Sequence, residues 1–344
     1  MPTISIIMPL FNGMAHLPAT VASVQTQTFS DYEVLLVDDG SADGGPEWVK
    51  NQRDTRWRIV STGRNQGPAV ARNQALALAQ SEHVAFWDSD DLAAPNRLAR
   101  QVEILSGRPE YDAAASWIRV LDQAGNGIAP PAGFRGTPEH LVPHLLFRNW
   151  LITSTLLVRR KLLDGQAFDP EFVVASDFEM WSRLFPPSRV FMVQEPLVSY
   201  REHAANITHR KGALLQDTLR RIGRKQIARL GLTASDEDLD VHGYLGAGTF
   251  PEAARYFPMA EGWLAKLQQA NRRALLYDAK AFEETLGELW GELCWKAALQ
   301  GQPTWRAFAR SVLRQPYGYA ATLWSRVAWA NVKRLLKRSG RQPV

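Results

Sequence analysis

A chain of 344 residues, 45% of them hydrophobic, can bury a large core, which excludes an intrinsically disordered protein. Forty lysines and arginines against 35 acids leave a formal net charge of +5, too weak at this size to argue for nucleic acid but compatible with anionic ligands or anionic lipid. A single cysteine, Cys294, excludes an internal disulfide framework and fits a reducing compartment.

The first predicted element is a strand, Ile4 to Met8, ended by Pro9; the opening run MPTISIIMPLFNG lacks the basic start of a signal peptide. Ala15 to Gln25 reads as a helix, Tyr32 to Val37 as a second strand, Gly45 to Gln52 as a helix and Trp57 to Val60 as a third strand. Gly67 to Gln80 is helical, and Val84 to Trp87, apolar without alternation, is a fourth strand of the kind covered on both faces. This βαβα rhythm predicts an α/β domain with a parallel sheet and right-handed crossovers. From Asp112 to Tyr200, strands such as Ser154 to Val158 mix with a helix at Asp177 to Leu184. Beyond Lys211 the pattern is helical, with an N-cap and acidic first turn in the stretch from Thr233 to Glu237. No stretch reaches the roughly 18 uninterrupted apolar residues of a membrane span, so the cytoplasm is the expected location.

Two of these strands end in acids. The second runs into Asp38 and Asp39 with glycine-rich turn chemistry behind, and the fourth runs into Asp88, Asp90 and Asp91. In open α/β sheets ligands bind at the carboxyl edge of the strands, and crowded carboxylates persist where a positive group such as a metal ion offsets their repulsion. Between them, Arg64 and Asn65 precede Gly67, and Arg72 follows on the helix that Gly67 opens. A helix N-terminus with a guanidinium beside it suits a diphosphate. Acids for a metal and cations for phosphate thus converge on one edge, the pattern of a nucleoside diphosphate held through a divalent ion. A sugar-phosphate nucleotidyltransferase would need a basic glycine-rich loop where Pro9-Leu10-Phe11-Asn12-Gly13 stands. A phosphoacceptor receiver module would be about a third of this length.

SIIMPLFNG, VDDGS, the segment R-N-x-G-x-x-x-A-R-N, WDSDD, SDFEMWSRL and YREHAANIT, in this order, resemble the large inverting glycosyltransferase family 2. The resemblance implies a GT-A fold, Rossmann-like with a mostly parallel sheet flanked by helices, and an α-helical C-terminal region. It implies a nucleotide-binding half over residues 1–105, an acceptor-binding half over 106–210 and helices over 211–344. It implies a nucleotide-sugar donor, with UDP-sugars favoured, a divalent Mn2+ or Mg2+ ion, and a glycan or lipid-linked glycan acceptor in bacterial surface polysaccharide assembly. By position, Pro9 and Phe11 match the nucleobase pocket, Asp39 an acid that contacts base or ribose, and Arg72, with Arg64 near it, a uridine or phosphate contact. Asp88-Ser89-Asp90 matches the D-x-D motif, with Asp90 the direct metal ligand, Asp91 a helper, and His203 a further reach to the metal or diphosphate. Asp177 matches the general base, with Ser176 where relatives carry Glu and with Glu179 in reserve. A noncatalytic nucleotide-sugar-binding relative is the alternative within the family.

The tail from Tyr317 to Arg341 combines an apolar helical face, tryptophans and a cationic end. Two readings stand: the face packs on the helical region, or it lies in an anionic membrane interface at the inner face of the plasma membrane.

Overall fold

The computed structural model describes residues 1–186, 188–202, 212–247, 252–313 and 325–331. The chain divides into two compact units, one comprising Met1–Leu141 and Asn149–Thr218, the other Val142–Arg148 and Leu219–Val344.

In the first unit β1 (Ile4–Leu10), α1 (Leu17–Gln25), β2 (Tyr32–Asp38), α2 (Gly45–Asn51), β3 (Trp57–Ser61), α3 (Pro68–Leu78) and β4 (His83–Phe86) alternate as the pattern predicts. β5 (Leu92–Ala93), α4 (Arg97–Gly107), β6 (Ala113–Leu121) and α5 (Pro138–His144) follow, α5 crossing the unit boundary. Then come a 3₁₀ turn at Thr153–Thr155, β7 (Leu157–Arg159), α6 (Arg160–Leu163), α7 (Ser176–Leu184) and β8 (Val190–Arg201). Among the described residues, one eight-stranded sheet has the order β3-β2-β1-β4-β7-β6-β8-β5. The first four strands pair in parallel, as expected; β1, β2 and β4 are almost wholly buried, which is why they read as continuous apolar runs, whereas β3 at the sheet edge is half-buried to exposed.

Two differences from the expected elements matter for the site. Pro9 lies inside β1, opposite Val37, rather than ending it. The carbonyls of Thr3 and Ile7 face β4, so by the two-residue period Pro9 faces that side too, beyond the last β4 residue, where no N–H is needed. The other difference is β7, which runs antiparallel to β4, with Ala85 opposite Leu157 and His83 opposite Arg159. The residues just before β7, the turn Thr153–Thr155 that the pattern assigned in part to a strand, are therefore delivered to the carboxyl edge of β4.

The second unit contains α8 from Leu219 onward (the helix spans Gly212–Arg229), α9 (Asp236–Gly246), α10 (Ala253–Ala274), α11 (Ala279–Leu299), α12 (Trp305–Arg310) and a helical segment at 325–331. Its core gathers Trp263, Leu264, Leu267, Phe282, Leu286 and Trp290, joined by Leu146 and Phe147 from the short inserted segment. α9 starts where the acidic run predicted, with Ser235 as N-cap in a reciprocal capping box with Asp238.

Candidate active site

At the end of β2 the two acids hold their own loop. Asp38 accepts from the Ser41 N–H at 2.9 Å. Asp39 accepts from the Thr62 hydroxyl at 2.8 Å and from the N–H groups of Gln66 and Gly67 at 2.9 and 2.7 Å. Gly40, at φ +79°, lets this turn approach the Arg64 backbone so closely that a Cβ would lie 2.8 Å from the Arg64 Cα. The sequence expectation for Asp39 was a nucleoside contact; its carboxylate already has three donors from its own chain. Phe11, past the end of β1, is 47% exposed, and Arg64 is exposed as well.

At the end of β4 the acids face different ways. Asp88 accepts from Arg72 Nη2 at 2.6 Å and from the Ser154 hydroxyl at 3.0 Å. Arg72, expected at a phosphate, is buried and has its guanidinium over the Phe168 ring at 5.5 Å. The Ser89 carbonyl accepts from Thr20 at 3.1 Å, and Asp90 stays partly exposed. Asp91, expected as a helper to a metal, is 1% exposed, with one carboxylate oxygen accepting from the Arg201 N–H at 3.0 Å. Burial pushes the Asp91 carboxyl well above the usual carboxylate range, and the charges of Asp90 and Asp88 push the same way. Beneath them Arg97 is fully buried, donates to the Phe86 carbonyl at 2.9 Å and lies over the Trp87 ring; its pKa is depressed by burial to about 9.

Asp177 opens α7 after Ala175, whose left-handed backbone (φ 54°) turns the chain into the helix. One carboxylate oxygen accepts from Asn149 Nδ2 at 3.2 Å and from the Thr153 hydroxyl at 3.4 Å; Thr153 in turn accepts from the Trp181 indole at 3.2 Å. Burial raises the Asp177 pKa and the Asp88 charge adds to it, while Arg72 and helix N–H groups oppose the rise. Arg72 therefore lies within electrostatic reach of Asp88, Asp90 and Asp177 together. Glu179, the reserve base, is paired with Arg183 at 3.0 and 3.2 Å.

The structure thus brings Arg72, Asp88, Asp90 and Asp177 together and sets Asp91 behind them. His203 lies outside the described residues. Asn149, Thr153, Ser154, Arg97 and Arg201 carry the site without having been read from the sequence; the hydroxyl run Thr153-Ser154-Thr155 inside an apolar stretch was the available signal. Among the described residues no group of three or more acids, histidines or cysteines forms a ready metal cage. Oxygen donors of one or two carboxylates, completed by phosphate, nonetheless suit Mg2+ or Mn2+, and partly exposed Asp90 fits such a site.

The mixed sheet flanked by helices, with acids past the carboxyl ends of β2 and β4, is a GT-A-type architecture. A family model described as Glycosyl transferase family 2 matches residues 5–157. WfgD of Escherichia coli, a UDP-Glc:alpha-D-GlcNAc-diphosphoundecaprenol beta-1,3-glucosyltransferase, is 36% identical over 211 residues, 60% of this chain and 80% of WfgD. TuaG of Bacillus subtilis (strain 168), named for teichuronic acid biosynthesis, is 31% identical over 203 residues, 58% of this chain and 79% of TuaG. Among solved structures, S. aureus TarS 1-349 in complex with UDP-GlcNAc aligns with TM-score 0.56 at 17% identity, covering 99% of this chain and 93% of that one. The chain belongs to glycosyltransferase family 2 and is a transferase.

Proposed function

We propose that this enzyme transfers a sugar, with inversion, from a nucleotide-sugar donor to a hydroxyl of a glycan or lipid-linked glycan in bacterial surface polysaccharide assembly. The observation that carries the reading is Asp177: a buried carboxylate with a raised pKa, held by Asn149 and Thr153, in the field of the Arg72–Asp88 pair. Inversion needs a carboxylate that accepts the acceptor hydroxyl proton as the diphosphate departs on the other side. Asp177 takes that proton, and its two neutral donors hold one oxygen in place. Glu179 does not compete, because Arg183 occupies it.

The exposed Phe11 ring and Pro9 supply an apolar seat for the nucleobase, beside the loop that Asp39 braces. Exposed Arg64 supplies a cation for the diphosphate, the N–H groups of Gln66 and Gly67 ahead of α3 being taken by Asp39. Asp90 would hold a Mn2+ or Mg2+ ion, which supplies charge neutralisation to the leaving diphosphate. Arg72 keeps Asp88 in position and tempers the repulsion among the acids. UDP-sugars lead because WfgD is named for UDP-Glc and TarS has been solved with UDP and UDP-GlcNAc. A diphosphoundecaprenol-linked acceptor, as in the WfgD name, would place the enzyme peripherally at the inner face of the plasma membrane.

The test is a donor screen that records nucleotide release across UDP-, dTDP- and GDP-sugars with Mn2+, with and without acceptor lipids. Acceptor-dependent release from a UDP-sugar is the expected result. Release that never depends on a glycan acceptor would overturn the acceptor class.

A further inference from the structure

The net charge of this chain is distributed unevenly. Residues 293–344 contain ten lysines and arginines and no aspartate or glutamate, so the other 292 residues are net acidic, with 30 cations against 35 acids. A field of one sign over this length acts on a partner rather than on the fold.

The described part of this segment has an inner and an outer side. α12 and the helical segment 325–331 lie side by side: Asn331 Oδ1 accepts from the Trp305 N–H at 3.3 Å, and Asn331 Nδ2 donates to the Thr304 hydroxyl at 3.0 Å. Their inner residues Phe308, Val327 and Ala330 are buried, as is Leu313 just past α12. This is the packing reading of the tail, realised for 325–331; the rest of the expected tail helix lies outside the described residues. The outer residues are of two kinds. Trp305, Val312 and Trp329 are 39%, 73% and 55% exposed, and Arg306, Arg310 and Arg326 are exposed among them. Arg326 and Lys296 lie 5.0 and 4.4 Å from the Trp295 ring centroid, both within electrostatic reach of Glu292.

We infer that this outer surface, centred on Trp305, Trp329, Arg306, Arg310 and Arg326, docks the enzyme on an anionic lipid bilayer. Indole rings settle at the level of lipid headgroups, and arginines gain from the negative surface potential. A nucleic-acid duplex would use the cations but keeps its bases stacked inside, away from outward indoles, and offers no apolar phase to Val312. The inference stands on charge and exposure in the helical unit and does not rest on the proposed donor or acceptor chemistry.

The experiment is flotation of the full-length protein with vesicles of phosphatidylglycerol and phosphatidylethanolamine, against pure phosphatidylcholine, at physiological ionic strength. The wild type should float with the anionic vesicles alone. The triple variant Arg306→Gln, Arg310→Gln, Arg326→Gln should partition about 10²-fold more weakly, at about fivefold per charge. The matching triple change to Lys should restore partitioning, an outcome that a purely structural role would not produce. Trp329→Ser, at the more exposed indole, should also weaken partitioning while leaving nucleotide release unchanged, which separates docking from transferase chemistry. The inference is overturned if the wild type fails to float, if the Gln and Trp variants float as well as wild type, or if the protein binds a duplex oligonucleotide at the same salt and ignores vesicles.

Discussion

Asp177 is the residue on which the chemistry turns, and its surroundings make separable predictions. Asp177→Asn keeps the size and the hydrogen-bonding partners but cannot accept a proton, so transfer should fall by about 10²- to 10⁴-fold while nucleotide affinity is retained, as measured by turnover and by calorimetric titration. Because burial raises its pKa, the ionised base is lost at a higher pH than an ordinary carboxylate would allow. Transfer should therefore decline on the acid side of the profile of kcat/KM, with its limb displaced upward from the usual carboxylate range. A limb that stays in the ordinary range would assign the proton transfer to another group. At the strand edge, Asp90→Ala should abolish the Mn2+ dependence of nucleotide binding, read as equal affinity with the metal and with a chelator. An unchanged dependence would take Asp90 out of the metal site.

At the scale of elements, α9 offers a paired comparison. A Cβ built on Gly246 would lie 1.9 Å from the carbonyl oxygen of Phe147, a backbone atom, whereas Gly243 on the same helix has nothing within 4 Å. Gly246→Ala must shift the segment that carries Phe147 and should cost about 1–3 kcal/mol. Gly243→Ala should be neutral or stabilising by up to ~1 kcal/mol through helix propensity alone. Denaturant titration of the two variants checks the contrast; equal effects would mean that α9 does not clamp the inserted segment. His242 makes that clamp directly. Its Nε2 is 2.9 Å from the Leu146 carbonyl, its Nδ1 faces the Trp263 indole N–H, and its ring stacks on Phe147 at 4.6 Å. The carbonyl needs a donor and the indole needs an acceptor, so the ring is neutral with its proton on Nε2.

At the scale of the molecule, that neutral histidine couples the stability of the helical unit to pH. Burial lowers its pKa from an unfolded value near 6.5 to about 4. Between those values the unfolded chain binds the extra proton, so stability is whole above pH 6.5 and is lost as pH falls, by up to ~3 kcal/mol at the lower end. Melting followed from pH 7 to 4 should show this slope, and His242→Phe should flatten it even though the variant starts from a lower baseline. A slope that persists in the variant would place the proton uptake elsewhere. The opposite signs of charge in residues 1–292 and 293–344 act at the same scale, through surfaces rather than through the core.

The sequence by itself determined what local pattern can record. Continuous apolar runs marked buried parallel strands, and acids just past their ends marked the ligand edge. The ordered motifs placed the chain in its family, and Ser235 with its acids marked a helix start. Only the tertiary structure decided which group answers which. Thr153 and Ser154 reach Asp177 and Asp88 because β7 pairs antiparallel to β4, a register between strands some 70 residues apart that no local period encodes. Arg72 could be read as a cation near phosphate, but its 2.6 Å contact with Asp88 depends on the packing of α3 against the sheet. Asp90 and Asp91 are neighbours in sequence with the same side chain. They differ in exposure because the chain turns between them, and the buried Asp91 carboxylate accepts from the N–H of Arg201 at the far end of β8.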